Sequence, residues 1–247
     1  DNSIYVFGGY GLHKYYNEIR RIDLTNNAFE DLSTNDSVFR PRYLAGLGVL
    51  NDTVYILGGY GSATGNQLIN PQSYYDLIGY SFKSKSLFKK FEIPRIIDDM
   101  TLANTIWIDE NSRDYYALVF EKSIFDGFLQ LIKGNLGSPV IEKVGDRLPF
   151  QFLDVRSYAG LFYMPLQKKL YAYTNYLSES NKTKTAIYSI SYPPDKFEEI
   201  TSDKQKSKIM PFLYILLALM LLSGSVFLIY KKRKGKRKGQ LPVINDN

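Results

Sequence analysis

The side chains able to do chemistry are few, and their spacing limits what they can do. Arg42 and Arg156 head two matching segments, Arg42-Tyr43-Leu44-Ala45-Gly46 and Arg156-Ser157-Tyr158-Ala159-Gly160. A guanidinium fork there either holds a ligand carboxylate bidentately or bonds carbonyl groups of adjoining strands. His13, the single histidine, stands near Tyr15 and is either a ligand contact or a plain hydrogen-bonding loop residue. Tyr60 and Arg95 border segments rich in Tyr, Asn, Ser, Gly and Arg, which suit a polar, hydrogen-bonded ligand. The candidate ligand-binding residues are therefore Arg42, Arg156, His13, Tyr15, Tyr60 and Arg95. No catalytic residue, metal ligand or cofactor is assigned.

Other chemistry is excluded by residue type. With no cysteine there is no disulfide, thiolate zinc site or cysteine nucleophile. Asp98 and Asp99 are adjacent, so in an extended segment they point to opposite faces and do not make the facing carboxylate pair of a glycosidase. Gly8 with Gly11 and Gly58 with Gly61 imitate a phosphate loop, but no helix follows either. Three Asn-x-Ser/Thr triplets begin at Asn35, Asn51 and Asn181; Asn51-Asp52 is more simply a hairpin turn.

The elements that must position these residues repeat. Ile4-Tyr5-Val6-Phe7-Gly8-Gly9-Tyr10-Gly11 matches Val54-Tyr55-Ile56-Leu57-Gly58-Gly59-Tyr60-Gly61. Each reads as a strand closed by a glycine pair that supplies the positive φ of a sharp turn. Two outer strands joined by a polar turn follow each pair: 16–24, then Asn26-Asn27 and a strand at Phe29, and 75–82, then Ser84-Lys85 and a strand at Leu87. Inner hairpins are expected at 43–57, 102–120 and 158–176. Outer strands are expected at 128–132, 140–144, 185–191 and 197–200. The loops facing one end are then 10–15, 60–70, 121–127 and 176–184, with connections at 33–40, 94–100 and 149–155.

This pattern resembles the kelch repeat: an apolar run, a Gly-Gly pair (Gly8-Gly9 and Gly58-Gly59), a spaced Tyr, an aromatic-Asp position (Asp23) and an aromatic near the last turn (Phe29). The resemblance implies an all-β, kelch-type β-propeller of four-stranded blades. The units would be 1–33 (partial), 40–93, 100–148 and 155–200, within a domain at 1–203, with further blades upstream. Some kelch propellers are copper oxidases, but that chemistry needs a cysteine-linked tyrosine and histidine ligands that this chain lacks. The absence of cysteine also suits a bacterial envelope protein.

Residues 210–230 contain no charged side chain, and 21 residues of helix reach about 31 Å, which matches the hydrocarbon core of a bilayer. A linker at 204–209 and a single transmembrane helix at 210–230 are expected. The tail at 231–247 carries Lys231, Lys232, Arg233, Lys234, Lys236, Arg237 and Lys238, seven of the 31 basic residues, with one of the 25 acidic ones. Residues 1–230 therefore hold 24 of each, and the basic balance belongs to the tail. Such a run stays cytoplasmic and meets anionic headgroups, which places the N-terminal domain outside; contact with nucleic acid is not expected. An export signal would then precede Asp1, and the chain would be a piece of a longer protein. The alternative is a tail anchor with a cytoplasmic N-terminal domain.

The resulting expectation is a membrane-anchored sensor or interaction module that takes a protein or glycan on the propeller face and is coupled to cytoplasmic signalling. The alternatives are a sugar isomerase or lyase of kelch architecture, with catalytic residues in other blades, or a structural adhesin.

Overall fold

In the computed structural model the described residues are 2–34, 37–96 and 98–196. They fall in the first of two compact units, Asp1–Phe197 and Glu198–Asn247. The expected strand at 197–200, linker at 204–209, span at 210–230 and tail at 231–247 lie outside the described residues. Among those described, no helix is long and apolar enough to cross a membrane.

The described chain is all-β, with two short 3-10 turns at Asp154–Arg156 and Pro165–Gln167. It runs as four antiparallel meanders. The first holds β1 (Ser3–Gly11), β2 (Lys14–Asp23) and β3 (Ala28–Asp31). The second holds β4 (Arg42–Tyr43), β5 (Gly46–Leu50), β6 (Thr53–Gly61), β7 (Gln72–Ser81) and β8 (Ser86–Glu92). The third holds β9 (Met100–Ile108), β10 (Asp114–Glu121), β11 (Asp126–Asn135) and β12 (Ser138–Gln151). The fourth holds β13 (Ser157–Met164), β14 (Lys169–Leu177) and β15 (Thr183–Ser191).

Left-handed residues close several hairpins, including Asn27, Asn51, Lys85, Arg113 and Lys168. Asparagine tolerates that conformation best because its short side chain can bond the local backbone. Burial follows the stacking of meanders. Val54 to Leu57 in β6 and Tyr115 to Phe120 in β10 are buried at every position, so these strands are covered on both faces. Ile19, Phe39, Ile56 and Tyr80 fill the space between the first two meanders. Leu57, Leu102 and Ala117 fill that between the second and third, and Leu118, Phe120, Leu161 and Ala172 that between the third and fourth. Consecutive inner strands also touch directly. Leu47 of β5 bridges Thr105 of β9 in parallel, and the Leu161 N–H of β13 donates to Thr105 Oγ1 at 2.7 Å.

Two expectations are corrected. The glycine pairs do not end their strands. Gly8 (φ 65°) with Gly9 (φ 117°) and Gly58 (φ 57°) with Gly59 (φ 114°) form matching bulges, after which both strands pair again through Gly11 and Gly61. The third meander is also longer than expected. β12 continues through Leu148 and Phe150, which alternate inward, so the connection begins after Gln151 instead of at 149.

Candidate ligand site at the inner strands

The innermost strands open at one level, for a local reason in each. Between Tyr43, paired with Tyr60, and Gly46, paired with Leu57, the residues Leu44 and Ala45 leave the ladder opposite Gly58-Gly59. Leu44 takes φ 51°, an unusual conformation for a bulky side chain. In β9 the register with β10 shifts between Leu102 and Ile106, which frees Asn104. Where these openings meet the turn at Asp154 there is a cavity of about 270 Å³. Leu47, Leu102, Phe120, Phe150 and Phe152 give it apolar walls, while Tyr10, Tyr43, Asn104, Asp154 and Tyr158 supply polar groups. Apolar walls with a few placed polar groups are the usual make-up of a small-molecule site.

Four tyrosines cluster beside it. The rings of Tyr10 and Tyr43 lie 4.3 Å apart at 45°, Tyr15 stacks on Tyr43 at 5.7 Å, and Tyr60 meets both Tyr15 and Tyr43 edge-on at 6.2 Å. The Tyr10 hydroxyl donates to Asp154 Oδ2 at 2.8 Å, which ties the first meander to the turn before the fourth. Burial, and then the hydrogen bond to Asp154, pushes the Tyr10 phenol up to about 12. Burial also raises Tyr43, Tyr15 and Tyr60, with the Asp154 charge adding to the first two and the Asp99 charge to Tyr60. All four are neutral near pH 7, so they act as donors and ring surfaces and not as bases.

Of the residues expected to bind ligand, Tyr15 and Tyr60 belong to this cluster, with Lys122 Nζ 4.3 Å from the Tyr60 ring centre. Arg42 reaches the cavity wall, but its side chain is 1% exposed and fully engaged. It donates to both Asp76 oxygens at 2.6 and 3.1 Å, to the Gly58 carbonyl at 2.9 Å and to the Arg40 carbonyl at 3.0 Å, and it lies over Tyr74. The carboxylate it holds bidentately is thus the chain's own. Arg156 ends the 3-10 turn half-buried and does not line the cavity. The matching segments therefore carry arginines in different settings.

His13 is exposed, with φ 60°, in the turn between β1 and β2, where its carbonyl accepts the Gln67 N–H. Arg95 is exposed, over the Tyr75 ring at 5.1 Å and 3.9 Å from Asp98. Neither lines the cavity. Asp23 accepts the Thr25 N–H at 2.8 Å, which holds its carboxyl below the usual range and shapes the turn after β2. The seven basic residues from Lys231 to Lys238 lie outside the described residues. Among the described residues no group of three or more His, Asp or Glu side chains converges to hold a metal ion.

Sequence reasoning missed Tyr10, Tyr43, Tyr158 and Asp154 as site residues. Its one usable signal was that Tyr10 and Asp154 each fall in a segment expected to face the same end. No protein-family profile matches the chain, and no curated protein does.

Proposed function

We propose that this chain is a ligand-binding or sensor module built as a kelch-type β-propeller, with the cavity at its inner strands as the recognition site. The carrying observation is that the irregular stretches of two inner strands, the three tyrosines Tyr10, Tyr43 and Tyr158, and one carboxylate meet at a single opening. The propeller reading is supported by the matched φ values of Gly8-Gly9 and Gly58-Gly59 and by the parallel contact between β5 and β9. In this reading residues 210–230 anchor the domain outside the cytoplasm, the run from Lys231 to Lys238 meets anionic headgroups, and occupancy is passed to a cytoplasmic partner. The test is a panel of oligosaccharides and short peptides titrated against the full chain in detergent micelles. Binding that weakens in Tyr43→Ala and Tyr158→Ala supports the site. Binding indifferent to both, or no binding either from the panel or from a small organic cation, overturns it.

A further inference from the structure

The charges around the cavity do not cancel. Arg42, the one basic residue in its wall, is neutralised by Asp76 and is out of reach of solvent. Lys122 lies over the Tyr60 ring and does not line the cavity. Asp154 is exposed at the rim and has no ion-pair partner among the described residues; it accepts from the Tyr10 hydroxyl at 2.8 Å and also bonds the Tyr43 phenol. A carboxylate offers about four acceptor positions, so two phenols leave about half of them and the negative charge uncompensated.

Beside that carboxylate stand the rings of Tyr10, Tyr43 and Tyr158. Aromatic faces carry negative potential and attract cations, most strongly alkylated ammonium groups, whose hydration is weak. The backbone at this point is also held in an uncommon conformation, with Asp154 at φ 38° and Leu44 at φ 51°. Such outliers gather at ligand clamps.

We propose that the cavity takes the alkylammonium group of a small molecule. The cation sits against Asp154 between the tyrosine rings, and any hydrocarbon portion lies on Phe150 and Phe152. A volume of about 270 Å³ is at the small end for ligand sites and suits a headgroup of choline size better than an oligosaccharide. The assignment rests on the reading of this cavity as the recognition site.

The test uses the full chain in micelles and isothermal titration with choline, with its uncharged isostere 3,3-dimethylbutan-1-ol, and with a trimethyl-lysine peptide. Choline is expected to bind, and the isostere to bind at least about tenfold more weakly. Asp154→Asn, which keeps the shape and an acceptor for Tyr10, is expected to weaken choline about tenfold. Equal affinity for choline and isostere overturns the proposal, as does choline affinity unchanged in Asp154→Asn. Binding of the peptide without choline overturns the small-molecule assignment. If choline fails while the oligosaccharide and peptide panel still binds through Tyr43 and Tyr158, this inference falls and the recognition site stands; if both fail, both fall.

Discussion

Arg42 and Asp76, 34 residues apart on strands that do not pair, are joined by two N–H···O bonds of 2.6 and 3.1 Å. The same guanidinium donates to the Gly58 carbonyl, inside the bulge that opens the inner strand. The pair therefore fixes the frame of the cavity from behind. Removing Asp76 leaves the buried Arg42 guanidinium without a counter-charge, at a cost of about 3–5 kcal/mol, whereas removing Arg42 strands Asp76, whose side chain is 14% exposed, at a smaller cost. Urea denaturation is expected to show the larger loss for Asp76→Asn and the smaller one for Arg42→Met. The double variant Arg42→Met with Asp76→Leu is expected to recover part of it, because no buried charge remains. Additive losses would contradict the frame role.

The two glycine bulges carry a separate expectation. A Cβ on Gly8 would lie 2.6 Å from the Arg42 carbonyl oxygen, and one on Gly58 would lie 2.6 Å from Leu102 Cδ1. Both residues also hold positive φ, which costs an L-residue about 1–2 kcal/mol. Gly8→Ala and Gly58→Ala are each expected to lower unfolding free energy by more than that conformational cost. Wild-type denaturation midpoints in either variant would mean that the bulges are not required.

How much of this was legible can be judged from those glycines. Apolar runs such as Ile4 to Phe7 and Val54 to Leu57, repeated along the chain and bounded by polar turns, announced nearly every described strand, because a β-branched or aromatic run closed by turn residues is a local property of the chain. The sequence also announced a need for positive φ at Gly-Gly. It could not say whether the chain turns away or bulges and pairs again, since that depends on β2 and β7 lying alongside. The partner of Arg42 was hidden for the same reason. Asp154 was invisible as a site residue, because a single loop carboxylate acquires meaning only when Tyr10, 144 positions earlier, arrives beside it.

The tyrosine cluster predicts alkaline sensitivity. Tyr10 is raised in the folded state from 10.0 to about 12, and Tyr15, Tyr43 and Tyr60 shift the same way. An unfolded chain ionises these phenols first and so binds fewer protons than the native state above pH 10. The stabilising contribution is therefore complete below pH 10 and is lost as pH rises through about 12. Urea midpoints from pH 8 to 12 are expected to hold steady and then fall, with a shallower fall in Tyr10→Phe. A flat profile to pH 12 would contradict the buried phenols.

The proposed topology is open to direct labelling because the chain has no cysteine. Leu166, 96% exposed in the turn between β13 and β14, can be replaced by cysteine with little effect on the core. On intact cells a membrane-impermeant maleimide is expected to label Leu166→Cys at once. Gly239→Cys in the basic tail is expected to react only after permeabilisation. The reverse pattern would place the domain in the cytoplasm.

Blocking the opening tests the recognition site itself. Val155, 65% exposed, lines the cavity next to Asp154, whereas Leu166 does not line it. Val155→Cys and Leu166→Cys chains can each be alkylated with a bulky maleimide and titrated with the same oligosaccharide and peptide panel before and after. Alkylation is predicted to abolish binding in Val155→Cys and to leave it intact in Leu166→Cys. Binding that survives alkylation at Val155 would contradict the assignment of the inner-strand cavity as the ligand site.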